Sequence, residues 1–430
     1  MNIGVIGGGL MGLTVAYELA KKGDEVVLFE KEPVLGGLAS SFDWNGLRLE
    51  RYYHFICLPD RYLLELIHEL GLREELVWRN TKMSFFFQGK LYRWGNPLAL
   101  LAFPEIDLWG KIRYGLNIVY SKYKKDWRPL DRVRAVDWLK RWLGESNYEF
   151  FWRTLLELKF GEYHDQISAA WIWGRINRVA RSLQGVKGER YGYLKGGTDR
   201  LVSALSQKIV DSGGKIYLGS PVLEIRLANG RIKSLIAGGG EQPVDAVVCT
   251  IPLPDFLAIK QELPATYRER LARIENIGIV CAVIRARISL TDNYWLNIKD
   301  DRIRLPGLIE YTNLNPLDGT TVIYIPQYAA FPLPPLLSDD ARLIGQYLDW
   351  LKMINPRFNC TEVIDYKIFR DRHAQPIPET GFMQMLPPLA SPVRGLYVAD
   401  TSFYYPEDRT LDQSIMIGQR LTRLVGENSD

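Results

Sequence analysis

Asn2-Ile3-Gly4-Val5-Ile6-Gly7-Gly8-Gly9-Leu10-Met11-Gly12, continued through Lys22 to Glu25-Val26-Val27-Leu28-Phe29-Glu30, is the stretch that decides the fold. Asn2–Ile6 is short and mostly apolar, as a parallel strand buried on both faces must be. Gly7, Gly9 and Gly12 satisfy G-x-G-x-x-G at the end of that strand. Leu13 to Lys22 reads as a helix whose inner face is Leu13, Ala16, Tyr17, Leu19 and Ala20. Gly23 ends it, and Glu25–Glu30 reads as the second strand. Gly7 permits the tight turn, Gly9 lets the backbone approach a pyrophosphate, and Gly12 lets helix and strand pack closely. The helix N-terminus offers unpaired N–H groups and the positive end of its dipole to phosphates. Glu30 can accept hydrogen bonds from ribose hydroxyls. The unit reads as a dinucleotide-binding βαβ.

Outward from it comes Lys31-Glu32-Pro33-Val34-Leu35-Gly36-Gly37-Leu38-Ala39-Ser40. With this segment the sequence resembles the flavoprotein superfamily of monoamine oxidase, protoporphyrinogen oxidase, phytoene desaturase and UDP-galactopyranose mutase. There the acid is followed by a Gly-Gly pair whose backbone wraps the FAD pyrophosphate. The resemblance implies FAD as cofactor, held by Gly7, Gly8, Gly9, Leu10, Met11, Gly12, Glu30, Lys31, Gly36, Gly37 and Leu38. Many members carry Arg where this chain has Leu38, so neutralisation of the pyrophosphate falls to backbone dipoles or to another residue.

Likeness returns in separated pieces. Lys195-Gly196-Gly197-Thr198 precedes an amphipathic stretch, Asp199 to Ser212, stopped by Gly213-Gly214. Lys215 to Leu218 and Val222 to Leu227 read as strands, with Asn229-Gly230 as a hairpin turn. In relatives the strand matching Val222 bonds the adenine, which makes Val222 a cofactor candidate. Asp245 to Pro252 resembles the return strand of the FAD domain, and Gly395 to Asp400 its last strand, with Asp400 at the position that holds the ribityl chain or phosphate. Leu411 to Val425 reads as a helix whose N-terminus faces the flavin pyrimidine ring. Gly238-Gly239-Gly240 reads as a loop. The expected class is α/β: a Rossmann-like FAD-binding domain built from residues 1–80, 186–280 and 386–430, plus an α+β substrate domain. That second domain comprises a helical block, 81–185, and an antiparallel sheet, 281–385, with strands at Val280–Ile288, Gly307–Asn313 and Thr321–Pro326. Glu50 to Phe55, Lys159-Phe160-Gly161, Tyr294 to Asn297, Ala374-Gln375-Pro376 and Tyr405 to Arg409 carry a closer likeness to a bacterial protoporphyrinogen-oxidase-like and amine-oxidase-like oxidoreductase branch.

The resemblance implies hydride transfer from a substrate C–H bond to flavin N5. Three residues are candidates for catalysis. His54 follows the Gly-Gly segment, where relatives pass the chain over the flavin; it is either active-site wall or a structural histidine. His373 precedes a segment resembling a substrate-facing strand. Tyr405, with Tyr404, follows Asp400 and either lines the flavin pocket or sits in the core. Lys159 reads as a helix-surface lysine, His68 and His164 as helix or loop surface, and Glu407, Asp408 and Arg409 as a local ion pair. The alternative is redox-neutral chemistry similar to that of UDP-galactopyranose mutase, for which Arg175, Arg178, Arg181 and Arg190 would have to clamp a diphosphate; the same spacing suits a solvated helix face.

Composition bounds the rest. The 430 residues are 47% hydrophobic and 24% charged, with a formal net charge of +4. That is ordinary for a globular protein and too weakly basic for nucleic acid to be the expected partner. Cys57, Cys249, Cys281 and Cys360 are scattered without a CxxC pair, so neither a metal site nor a disulfide framework is expected and a reducing cytoplasm is the compartment they suit. No run is long and apolar enough to span a bilayer, and the start lacks the basic region of a signal peptide. Trp109 to Trp142 holds ten Lys or Arg against three acids, interleaved with Trp and Tyr. Such a region either lies on an anionic membrane, giving peripheral contact at the inner face, or is a solvated basic face with its Trp packed inward. The expected partner is therefore a small or lipophilic substrate; the electron acceptor stays open between oxygen, a quinone and a separate carrier.

Overall fold

A computed structural model describes residues 1–183, 189–260, 262–317 and 319–427. Asn2–Ile6 is the centre of a five-stranded sheet in the order Leu396–Val398, Ala246–Cys249, Asn2–Ile6, Glu25–Phe29, Lys215–Tyr217. Every pair in it is parallel. Ile3, Val5, Leu28, Val247 and Val248 are fully buried, which is why these strands are apolar on both faces. Each such side chain contributes roughly 1.5–3 kcal/mol relative to exposure. Strands from three distant parts of the sequence thus meet in one sheet. The expected division of the chain at 185–186 lies outside the described residues.

The first helix spans Leu10–Lys21 and so begins three residues before the expected Leu13. Gly9 is its N-cap, in an extended conformation (φ −68°, ψ 170°), and the Gly9 carbonyl accepts from Leu13 N at 2.9 Å. The last three fingerprint residues, Leu10, Met11 and Gly12, are therefore in its first turn. A Cβ on Gly12 would lie 2.0 Å from the Gly7 carbonyl oxygen, so only glycine allows this helix to sit so close to its strand. The C-terminal helix, Leu411–Glu427, packs along it, with Gly418 against Thr14 and the Met11 carbonyl.

Asn229 and Gly230, both at positive φ, turn the hairpin Val222–Ala228/Arg231–Ala237. The expected loop at Gly238–Gly240 is shorter than read: Gly240–Pro243 adds a third strand, where Glu241 bonds Ser234 and Arg226.

A seven-stranded sheet forms the second layer, in the order Val363–Pro376, Asn276–Ala286, Thr321–Ala329, Gly307–Glu310, Trp295–Lys299, Met83–Phe87, Lys90–Trp94. It departs from the expectation in two ways. Residues 81–185 are not all helical, because Met83–Phe87 and Lys90–Trp94 join the sheet. The sheet is not wholly antiparallel, because Trp295–Lys299 runs parallel to Met83–Phe87. A helix, Asp340–Ile354, also falls within the stretch read as strands; Leu343, Ile344, Tyr347 and Leu351 form its buried face. The helices Pro97–Ala102, Leu108–Tyr123, Ala135–Leu143, Thr154–Phe160 and Ala169–Ser182 gather around a core containing Phe85, Phe103, Phe151, Trp138 and Trp171. No helix among the described residues is long and apolar enough to cross a membrane.

Candidate active site

One cavity of about 1360 Å³ reaches from the first βαβ unit to the helical block. At one end it is lined by Gly7, Gly9, Leu10, Met11, Glu30, Lys31, Gly36, Gly37 and Leu38. A Cβ on Gly9 would meet nothing within 4 Å, so the space above its backbone is open. Gly36 and Gly37 both have positive φ, and the Gly36 N–H donates to the Gly8 carbonyl at 2.8 Å, which lays the second glycine segment beside the first. A Cβ on Gly37 would sit 3.2 Å from Gly9 Cα. Glu30 is buried and accepts from Gly8 N at 2.6 Å and Glu32 N at 2.8 Å. A carboxylate has about four acceptor sites, so two remain for ribose hydroxyls. Gly8 and Gly12 lie behind this surface: the Gly8 N–H fixes Glu30, and Gly12 sets the helix. Val222 lines the same end. Asp400 accepts from Ser402 N at 2.9 Å and Leu253 N at 3.1 Å, and burial raises its pKa. An open glycine cradle, an acid with spare acceptors and a helix N-terminus are what an FAD pyrophosphate and ribose require.

Lys31 does not supply the missing Arg after the Gly-Gly pair, since its ammonium pairs with Asp255 at 3.2 Å on the surface. His373 belongs to this end as well. It lines the same cavity, with its Nε2 3.7 Å from Oδ1 of Asp255, the carboxylate that Lys31 also meets.

His54 lines the cavity with its side chain 20% exposed. Its Nδ1 is buried, 3.5 Å from Glu50 Oε2, and the same carboxylate takes the His54 and Thr198 N–H groups at 2.9 Å. Glu50 therefore fixes the chain at His54, while the imidazole Nδ1 beside it has no hydrogen-bond partner. Tyr405 does not reach the cavity. Its hydroxyl donates to Asp131 at 2.6 Å and bonds Ser168 at 2.7 Å, and its ring packs on Trp127, so it ties the loop to the helical block. Of the two neighbours, Tyr404 is the one that lines the cavity.

The largest departure is Lys159. It is buried, not on a helix surface, with Nζ 3.3 Å from Asp408 Oδ2 and 4.7 Å from the Trp171 ring centre. Arg175 Nη1 reaches the same oxygen at 2.5 Å. Arg409 donates to Gln375 Oε1 at 3.0 Å and Tyr328 O–H at 2.9 Å. Burial, reinforced by the two arginines and only partly countered by Asp408, lowers the Lys159 pKa to about 7. Burial alone would raise Asp408; the three cations overcome it and hold the carboxyl well below the usual range. Gly174 allows this meeting, because a Cβ there would lie 2.6 Å from the Pro406 carbonyl oxygen. The four arginines do not converge as a diphosphate clamp: Arg175 lies beside Asp408 and Arg178 beside Asp60, Arg181 is exposed, and Arg190 lies over Trp78.

Beyond His54 the cavity is apolar, walled by Phe85, Tyr114, Phe151, Trp152, Leu155 and Trp295. Glu189 stands among them, bonded to the Tyr191 hydroxyl, and burial raises its pKa to about 7. Gly115, Ile118 and Val119 of the helix Leu108–Tyr123 also line the cavity. That helix is inverted. Gly110, Asn117 and Ser121 are its buried residues, whereas Leu108, Trp109, Ile112, Leu116, Val119 and Tyr123 are exposed, by 44% to 71%. At about 100° per residue the exposed six fall on one stripe. Leu98 and Leu101 of the preceding helix extend it. Trp138 is buried and Trp142 packs on Tyr120, so the inward reading holds for them and fails for Trp109. Among the described residues no group of three or more His, Cys, Asp or Glu is placed to hold a metal ion.

The family model for flavin containing amine oxidoreductases matches residues 10–405. A 15-cis-phytoene desaturase of Synechococcus elongatus is 27% identical over 246 residues, 53% of this chain and 51% of the relative. A 4,4'-diapolycopen-4-al dehydrogenase of Metabacillus indicus is 26% identical over 296 residues, 62% of this chain and 59% of the relative. The chain spans about half the length of the curated relatives it matches. Among solved structures, an oxidoreductase from Methanosarcina mazei superposes with a TM-score of 0.76 at 20% identity, over 98% of this chain and 100% of the other. Reduced UDP-galactopyranose mutase superposes with a TM-score of 0.76 at 17% identity, over 100% and 96%. These two likenesses are of fold.

Proposed function

Because the chain belongs to the flavin containing amine oxidoreductase family, we propose that it is an FAD-dependent oxidoreductase that takes a hydride from a C–H bond of a lipophilic substrate. The observation that carries this reading is the single cavity shared by a glycine cradle and an apolar chamber. FAD, when bound in the cradle, supplies the hydride acceptor. The chain supplies the rest. Gly9, Gly36 and Gly37 leave room for the pyrophosphate, and Glu30 takes the ribose. The aromatic walls exclude water and orient the apolar body of the substrate. His54, beside Glu50, lines the chamber and accepts the proton that the substrate loses from a neighbouring bond as the hydride leaves its C–H.

The apolar stripe on Leu108–Tyr123 supports entry from a membrane surface, since Gly115, Ile118 and Val119 of the same helix line the cavity and Lys122, Lys124 and Lys125 stand at its end. Apolar insertion with basic residues nearby is how a peripheral helix rests on anionic lipid. The substrate then reaches the chamber without crossing water.

Anaerobic mixing of the FAD-loaded protein with lipophilic C–H donors tests the reaction, with bleaching of the oxidised flavin band as the expected result. In His54→Ala the flavin stays bound and its reduction slows by roughly 10²-fold. An unchanged rate and pH profile would remove His54 from the mechanism.

A further inference from the structure

Three cations, Lys159, Arg175 and Arg409, meet at the cavity wall in the loop–helix junction opened by Gly174. We propose that they form a carboxylate-binding subsite, and that the substrate is an apolar molecule carrying one anionic head group. This rests on the reading of the cavity as a substrate chamber.

The charges around the cluster decide it. Asp408 is the carboxylate that Lys159 and Arg175 touch, and Asp371, on the strand Val363–Pro376, acts on Arg409 from a greater distance. The other partners of Arg409, Gln375 and Tyr328, are neutral. They hold the guanidinium in place without cancelling its charge. Around Lys159 the remaining neighbours are the rings of Phe160, Trp171 and Tyr328. Glu407 does not redress the balance: it faces Arg178 and Asp60, and burial raises its pKa to about 7. With Lys159 protonated, three cations therefore face two carboxylates, leaving one positive charge buried beside an apolar chamber. Uncompensated buried charge is costly, and a single carboxylate delivered by the substrate offsets it through charge-assisted hydrogen bonds to fixed donors. Arg175 and Arg409 suit a planar two-oxygen group better than a point charge. The pyrophosphate cradle is built from other residues, Gly7, Gly9, Gly36 and Gly37.

The lowered Lys159 pKa gives the subsite a signature. In the free protein Lys159 loses its proton as the pH rises through about 7. A bound anion favours the protonated form, so affinity must fall above that pH.

The test is binding of octanoate, octanol, octylamine and octyl phosphate to the FAD-loaded protein, read from perturbation of the flavin spectrum and of chamber tryptophan fluorescence. Octanoate should bind roughly tenfold or more tighter than octanol at about pH 6, where octanoate is ionised and Lys159 protonated. That preference should decay from about pH 6 to about pH 9 as Lys159 deprotonates. Lys159→Met and Arg175→Gln should each reduce it, with octanol affinity and flavin content unchanged. Lys159→Arg should keep the preference and lose its pH dependence. Octanoate binding no better than octanol, octylamine or octyl phosphate binding best, or a preference surviving both Lys159→Met and Arg175→Gln would overturn the subsite. Octanol binding without an octanoate preference defeats the subsite alone. Binding of none of the four defeats the chamber reading as well.

Discussion

The cradle and the chamber are two ends of one cavity, and they handle polarity by opposite means. At the cradle the ligand-facing groups are mostly backbone, Gly9 open to space and Gly36 locked to Gly8, with the Glu30 carboxylate held by two N–H groups. The nearby Lys31 is engaged on the surface with Asp255. At the chamber the polar groups are side chains buried in an aromatic wall, Lys159 and Glu189 among them, both with pKa values moved to about 7. Backbone amides do not titrate, and these side chains do. The nucleotide end thus rests mainly on backbone groups that do not titrate, with the Glu30 and Asp400 carboxylates beside them, whereas the chamber end changes its charge near neutrality. That division suits a resident cofactor beside an exchanging substrate.

The comparison breaks first at Gly12. A Cβ placed 2.0 Å from the Gly7 carbonyl oxygen forces the helix off its strand. Gly12→Ala should lose about 3 kcal/mol or more, at the upper end of overpacking costs, with flavin lost alongside. Thermal unfolding of the apoprotein is the measurement, and an unshifted midpoint would contradict the close packing.

Glu189 sharpens the contrast from the other end. Its folded pKa, about 7, lies above the unfolded value, so the protonated form favours the fold. The stability it contributes is fully present below the unfolded pKa and is lost as pH rises through about 7. Glu189→Gln, neutral at every pH, should match wild type in mild acid and exceed it by roughly 1–3 kcal/mol in mild alkali. Denaturant unfolding at the two pH values reads this directly; equal gaps at both would show that Glu189 is not held neutral.

Lys31 should matter least. Exposed ion pairs are worth about 0–1 kcal/mol, so Lys31→Ala should change stability and flavin affinity by no more than that. A large loss of flavin would mean that a side-chain cation, not backbone, neutralises the pyrophosphate.

The two ends also differ in how far they can be read from sequence. The cradle lies within residues 2–38, and its logic is backbone geometry that glycines announce. The return strands at Ala246–Cys249 and Leu396–Val398 were legible because parallel strands buried on both faces are uniformly apolar. The chamber gathers Lys159, Arg175, Tyr328 and Asp408 from four segments, and nothing local marks their meeting. Lys159 looked exposed because it stands in a short mixed helix. A π turn over Glu149–Arg153 precedes that helix and shifts which face looks inward. Met83–Phe87 and Lys90–Trp94 were hidden by their setting in a Trp-rich block, and their Gln88-Gly89 turn, both at positive φ, is a weaker signal than Asn-Gly. Tyr405 looked like a pocket residue by its nearness to Asp400, but chain proximity does not say to which side of a loop a ring turns.

The central claim is that the space over Gly9 holds the FAD pyrophosphate, and Gly9→Val tests it most directly. Gly9 has an extended φ and ψ, and its Cβ position is empty to 4 Å, so valine fits the fold itself. The account predicts an apoprotein that melts like wild-type apoprotein while FAD affinity falls roughly tenfold or more, about 1.4 kcal/mol. A Gly9→Val protein that is equally stable and still carries stoichiometric FAD would contradict it.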